Sequence, residues 1–133
     1  MQKVLENINS FIKKNEWCDF EIINLRGHLK IGGKTGFNEA NEYDILITYK
    51  NVFFIQCLYE WKTEVKLYDK FFSIADENEQ CLFNQKYEVI QGNTVFKIIG
   101  EYLDCPMYII AENISVEFPL QVRYTRQCKV EGS

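Results

Sequence analysis

The stretch Tyr43–Trp61, YDILITYKNVFFIQCLYEW, decides the fold. Isoleucine, valine, threonine, tyrosine and phenylalanine dominate it, and these residue types suit a pleated, half-buried surface. Two such runs meet at Lys50-Asn51, and asparagine tolerates the left-handed backbone that a tight two-residue turn requires. The stretch therefore reads as a β-hairpin, with Tyr49 opposite Val52, Ile47 opposite Phe54 and Ile45 opposite Gln56. Apolar side chains fall on both faces, whereas a sheet wetted on one side alternates cleanly. Both faces should accordingly be covered, with the hairpin at the centre of a sheet.

Upstream, Val4, Leu5, Ile8, Phe11 and Ile12 form one helical stripe within Gln2–Lys14, a natural cover for one face. Asp19–Leu25 and His28–Ile31 read as a second hairpin about Arg26-Gly27, and the run 32–42 as a loop on its glycines and asparagines. Downstream, Val65–Tyr68 reads as a short strand, 69–75 equally as a helical turn or a strand, and 76–80 (DENEQ) as an exposed acidic loop. Cys81–Gln91 reads as a strand closed by Gly92-Asn93. Further strands are expected over 94–102, over 107–111 and 114–118 around Glu112-Asn113, and over 121–124 at an edge. The sum is a single α+β domain over residues 1–133: an N-terminal helix packed on a strongly curved, mostly antiparallel β-sheet, half-barrel or sandwich-like.

Composition supports this. Apolar residues make up 47% of the 133 and aromatics 15%, enough for a packed core. No apolar run approaches the roughly 20 residues that span a bilayer. The N-terminus mixes charge throughout instead of placing it before an apolar segment, so no export signal is expected. The five cysteines (Cys18, Cys57, Cys81, Cys105, Cys128) are odd in number and contain no C-x-x-C pair, which points to reduced thiols and a cytoplasmic location. The net charge of −4 is concentrated: residues 34–80 carry nine acidic and five basic side chains. An acidic middle argues against nucleic acid, which needs clustered Lys and Arg, and suits a basic partner or simple solubility.

Catalytic and cofactor motifs fail on spacing. Gly33-Lys34-Thr35 ends like a phosphate-binding loop, but the glycine required five residues earlier is replaced by His28. A single histidine leaves no His-His or Cys-His metal pair, and DENEQ lacks the central glycine of a calcium loop. Carboxylates are abundant enough for a paired-acid glycosidase, yet a solvated acidic surface explains them more simply. No catalytic residue, metal or cofactor is assigned. The patch Tyr59-Glu60-Trp61-Lys62-Thr63-Glu64 resembles a binding hot spot, a large ring among polar groups, although Trp61 equally suits the core.

The segment Trp17-Cys18-Asp19-Phe20-Glu21-Ile22-Ile23 resembles an element of bacterial polymorphic-toxin immunity proteins of the contact-dependent inhibition type. In them, a His-Asp-small-Glu-Val/Ile run opens a small β-rich domain. Asp19, Glu21 and Ile22 match; Cys18 replaces the histidine and Phe20 the small residue. Ile45-x-Ile47-x-Tyr49-x-Asn51-Val52 is similar to that group's strand and turn pattern. The resemblance implies a cytosolic inhibitor that binds a toxin domain and carries no catalytic residues.

The expectation is therefore a non-enzymatic protein that binds a basic toxin domain, possibly a nuclease in chemistry, and neither a membrane nor nucleic acid. Glu39, Glu42, Glu60, Trp61, Glu64, Asp76, Glu77 and Glu79 are the expected contacts. A small-ligand binder or enzyme with a cavity lined by tyrosines and Gln56 is the alternative, and a homodimer pairing through a sheet edge is a third. Oligomeric state is left open.

Overall fold

The computed structural model describes residues 1–35, 42–64, 70–101 and 105–119. The strands expected at 65–68 and 121–124 lie outside them. The elements are α1 (Gln2–Asn15), β1 (Trp17–Arg26), β2 (His28–Lys34), β3 (Ile45–Gln56), β4 (Glu60–Glu64), β5 (Phe72–Ile74), α2 (Glu77–Tyr87), β6 (Thr94–Ile98) and β7 (Met107–Glu117). Among the described residues the strands form one antiparallel sheet in the order β4-β1-β2-β3-β7-β6-β5. The sheet curls into a half-barrel, so the fold is α+β as expected.

The central stretch is not a hairpin. Lys50-Asn51 lies inside β3, which continues without reversal from Ile45 to Gln56 and pairs along its length with β7. Tyr49 faces Ile114, Val52 faces Ala111 and Gln56 faces Tyr108. The second expected turn, Glu112-Asn113, also lies inside a strand, with Asn113 directly opposite Lys50. Two turn signals thus face each other across one ladder, and neither reverses the chain. Asn51 does take a left-handed conformation (φ 53°), and the register shifts between Val52 and Phe54. Such an irregularity bends a strand and strengthens its twist. The β1–β2 tip, turning at Gly27 (φ 72°), closes over the bend. The Val52 amide donates to the Gly27 carbonyl at 2.7 Å, and the Asn51 amide donates to His28 Nδ1 at 3.0 Å. Asn51 Nδ2 also donates to Glu112 at 2.7 Å.

Two further expectations are corrected. Residues 77–87, read as acidic loop and strand, form α2. Asp76 caps it, accepting from the Glu79 amide at 2.8 Å, while Glu79 accepts from the Asp76 amide at 3.1 Å. This reciprocal box satisfies two donors that a helix start otherwise leaves open. Gly32, Gly33 and Lys34, read as loop, continue β2. Gly33 is a packing requirement: a methyl there would lie 2.6 Å from Ile45 Cγ2 and 2.8 Å from the Phe20 ring.

Helix α1 fills the concave side with Leu5, Ile8, Phe11 and Ile12, which meet Phe20, Ile31, Ile47, Tyr49, Phe72 and Phe96 in one core. Helix α2 lies on the convex side over β3, β7 and β6, where Phe83 joins Phe54, Val95, Ile110 and Tyr108. Each face of the central strand is thus covered, as its composition required. The curl draws the two ends of the sheet together. Phe20 packs edge-on against Phe72 with ring centroids 5.2 Å apart, and the Glu101 amide donates to the Lys62 carbonyl at 2.7 Å.

One polar side chain of α1 joins it to β5. Asn9 Oδ1 accepts from the Phe71 and Phe72 amides at 2.9 and 3.0 Å, and Nδ2 donates to the Phe72 carbonyl at 2.8 Å. Asn9→Ala strands three backbone groups and should cost about 2–4 kcal/mol, read as a lower urea midpoint at unchanged slope. Asn9→Asp keeps both acceptor bonds and should fall between the two.

Candidate functional site

Directly opposed residues in a ladder share a face, so the registers define what the convex side of β4, β1 and β2 presents. Cys18, Phe20 and Ile22 point inward with Thr63, Trp61 and Ile31. The intervening residues form two outer rows. Lys62, Asp19 and Lys34 make the first, and Glu60, Glu21 and Gly32 the second. Here the expected patch divides: Trp61, inside β4, is 6% exposed and stacks on Phe20 at 5.7 Å, whereas Tyr59, just before β4 begins, is 67% exposed. Trp61 belongs to the core, and its remaining exposed edge lies in the cleft described below.

Gly32 contributes no side chain to its row, and Tyr43 occupies the gap. A methyl on Gly32 would lie 2.4 Å from the Tyr43 ring and 2.6 Å from Ile23 Cδ1, so ring and isoleucine lie against bare backbone. From there the Tyr43 hydroxyl donates to Glu21 Oε1, and Lys34 Nζ lies 5.1 Å from the ring centroid in a cation–π contact. Asp44 anchors this corner by accepting from the Thr35 amide at 2.7 Å and its hydroxyl at 3.0 Å. Lys34 and Thr35, the residues that echoed a phosphate loop, are therefore both engaged internally.

Together Asp19, Glu21, Lys34, Tyr43, Glu60 and Lys62, with Phe20 and Trp61 between them, line a half-open cleft of about 420 Å³. Lys62 Nζ stands 4.0 Å from Asp19 Oδ1, too far for a hydrogen bond, and that oxygen is buried without a donor. Exposed Tyr59 and Ile23 (40%) adjoin the cleft, and the Tyr59 carbonyl accepts from the Ile22 amide at 2.8 Å.

The other expected contacts divide. Glu39 and the side chain of Glu64 lie outside the described residues. Glu42 lines a separate shallow groove with Tyr43, Leu46 and Pro119. Asp76 and Glu79 belong to the α2 cap, and Glu79 also accepts from Lys97 at 3.2 Å and from the Tyr108 hydroxyl. Glu77 is exposed on the first turn of α2. The α2 acids and Glu60 thus occupy different halves of the convex side. Asp19, Glu21 and Tyr43 were missed as site residues, although period-two alternation on β1 already placed the first two on one face.

A second cleft of about 210 Å³ lies under α2, lined by Gln56, Glu79, Leu82, Phe83, Lys86, Tyr87 and Tyr108. Gln56 is thus on the convex side, outside the core that α1 fills. Burial pushes the Cys57 thiol up to about 12 and the Cys18 thiol higher, so neither is a ready nucleophile. Among the described residues no three His, Cys, Asp or Glu side chains are placed to hold a metal ion, and no helix is long and apolar enough to cross a membrane. No family model, curated protein or solved structure matches the chain.

The hydrogen bond to Glu21, then burial, push the Tyr43 phenol up to about 12. A phenol held above its ordinary 10 contributes stability below pH 10 and loses it as pH rises towards 12. Gly32→Ala should expel the ring, return this ionisation towards 10 and cost about 1–3 kcal/mol. Tyrosine 13Cζ titration and urea unfolding at neutral and alkaline pH check both effects, and Tyr43→Phe should lose less stability over the same rise in pH.

Proposed function

We propose that this chain is a non-enzymatic binding protein that covers a basic protein domain, as an immunity protein covers its toxin, and that it does so in the cytoplasm. The observation that carries the proposal is the convex side of β4, β1 and β2. There Tyr59 and Ile23 stand exposed beside the carboxylates of Asp19, Glu21 and Glu60, while the helices pack elsewhere. An exposed ring bordered by charge is the usual composition of a binding hot spot. Complementary charge speeds encounter and rejects wrong partners more than it adds affinity. Two parts of this surface therefore do different work: Tyr59 supplies contact area, and the acids select and steer.

The resemblance of the Asp19–Ile22 segment to immunity proteins supports the same surface, because Asp19 and Glu21 are two of its matching positions and both line the cleft. Asp76 and Glu79 have a structural task in the α2 cap, so the proposed surface is smaller than the full set of acids in the sequence.

Co-expression with a toxin domain encoded beside this chain should restore growth. With that domain in hand, Tyr59→Ala should weaken binding by about 2 kcal/mol, chiefly through faster dissociation. Glu21→Lys with Glu60→Lys should slow association about tenfold or more at low salt, and the effect should shrink as salt is raised. Rescue and binding that survive all three substitutions unchanged would overturn the proposal.

A further inference from the structure

We infer that the convex cleft seats one arginine side chain of the partner, its guanidinium bridging the carboxylates of Glu21 and Glu60. The inference rests on the protein-binding reading above and names the group that is recognised.

The charge pattern of the cleft supports it. In the first row Asp19 stands between Lys62 and Lys34, one on each neighbouring strand, so both lysines have a nearby acid. In the second row Glu60 and Glu21 are directly opposite each other, and the next position is Gly32. Three carboxylates and two ammonium groups leave the cleft with one net negative charge, and both carboxylates of the second row lack a lysine in their own row. Like charges directly opposed across a ladder destabilise a sheet. Among the described residues Glu21 is eased by the Tyr43 hydroxyl, and no hydrogen bond or ion pair engages Glu60. A single positive charge from outside would bring the cleft as a whole to neutrality.

Shape narrows the guest. The cleft of about 420 Å³ holds many waters' volume and admits a long side chain. The carboxylates do not converge on a metal-binding point. Two carboxylates side by side suit a planar fork with several N–H donors, which guanidinium supplies and ammonium does not. The site already tolerates a cation against an aromatic face, since Lys34 lies over Tyr43. Arginine also stacks on such rings, and exposed Tyr59 adjoins the cleft.

The test uses small probes on the whole chain. N-acetyl-argininamide, N-acetyl-lysinamide and the neutral isostere N-acetyl-citrullinamide are titrated into isotope-labelled protein. Side-chain carboxyl resonances of Glu21 and Glu60 and the Tyr43 ring are followed. The arginine probe should give saturable shifts at these positions, the lysine probe weaker ones and the citrulline probe none. Glu60→Gln should weaken the arginine probe about fivefold, the scale of one partly exposed charge-assisted hydrogen bond, and Glu77→Gln on α2 should not. Equal shifts from arginine and lysine, no saturation with arginine, or indifference to Glu60→Gln each overturn the arginine seat. None of those results touches the protein-binding reading, which stands or falls on rescue and on Tyr59→Ala. Failed rescue with intact probe binding would remove that reading and leave a cation seat of another purpose.

Discussion

The structure depends on a bend in its central strand, β3. β3 and β7 form a ladder from Leu46–Glu117 to Gln56–Tyr108, and β3 departs from regular geometry at Asn51 and in the register shift between Val52 and Phe54. A bend of this kind turns backbone amides out of register with their neighbours, and buried or half-buried amides must find acceptors elsewhere. They find them in the β1–β2 tip: the Gly27 carbonyl takes the Val52 amide, and His28 Nδ1 takes that of Asn51. The same contacts that make the bend tolerable hold the second hairpin in place. With the sheet curled, α1 can be enclosed on one side while β4 and β1 present their charged rows on the other.

How much of this could be read from the residues depends on the range of the interaction concerned. The N-terminal helix and the β1–β2 turn were legible because each is local: a stripe of apolar residues in one case, a glycine with positive φ in the other. The left-handed tendency of Asn51 was also legible, but its meaning was not. A tight turn and a paired strand bend use the same residue, and only the partner strand, some sixty residues away by its bond to Glu112, distinguishes them. α2 escaped notice because it has no buried residue and hardly any apolar stripe. Its one strong local mark was the acid pair Asp76 and Glu79 at capping-box spacing, which passed for surface charge.

The site shows the same division. That acidic residues would gather was legible; which of them would gather was not. Asp19 and Glu21 share a face by simple alternation, yet their opposition to Lys62 and Glu60 follows from β4 pairing with β1, a contact between distant segments. The entrance and exit of the central stretch do come together, as a hairpin would have required, but by another route. Tyr43 reaches Glu21 over Gly32, and Glu60 reaches Glu21 across the β1–β4 ladder.

Asn9 has one more consequence. A sheet that stops short of closing exposes peptide groups at its end strands, and such an edge invites another chain to add a strand to it. At β5, however, the carboxamide of Asn9 holds both the amide and the carbonyl of Phe72, imitating a neighbouring strand with a single side chain. At β4 the Glu101 amide occupies the Lys62 carbonyl. Main-chain zippering, which reads little of a partner's sequence, is thus discouraged at both ends. On the proposed reading, recognition falls instead to the side chains on the convex face, where identity and charge can be discriminated residue by residue.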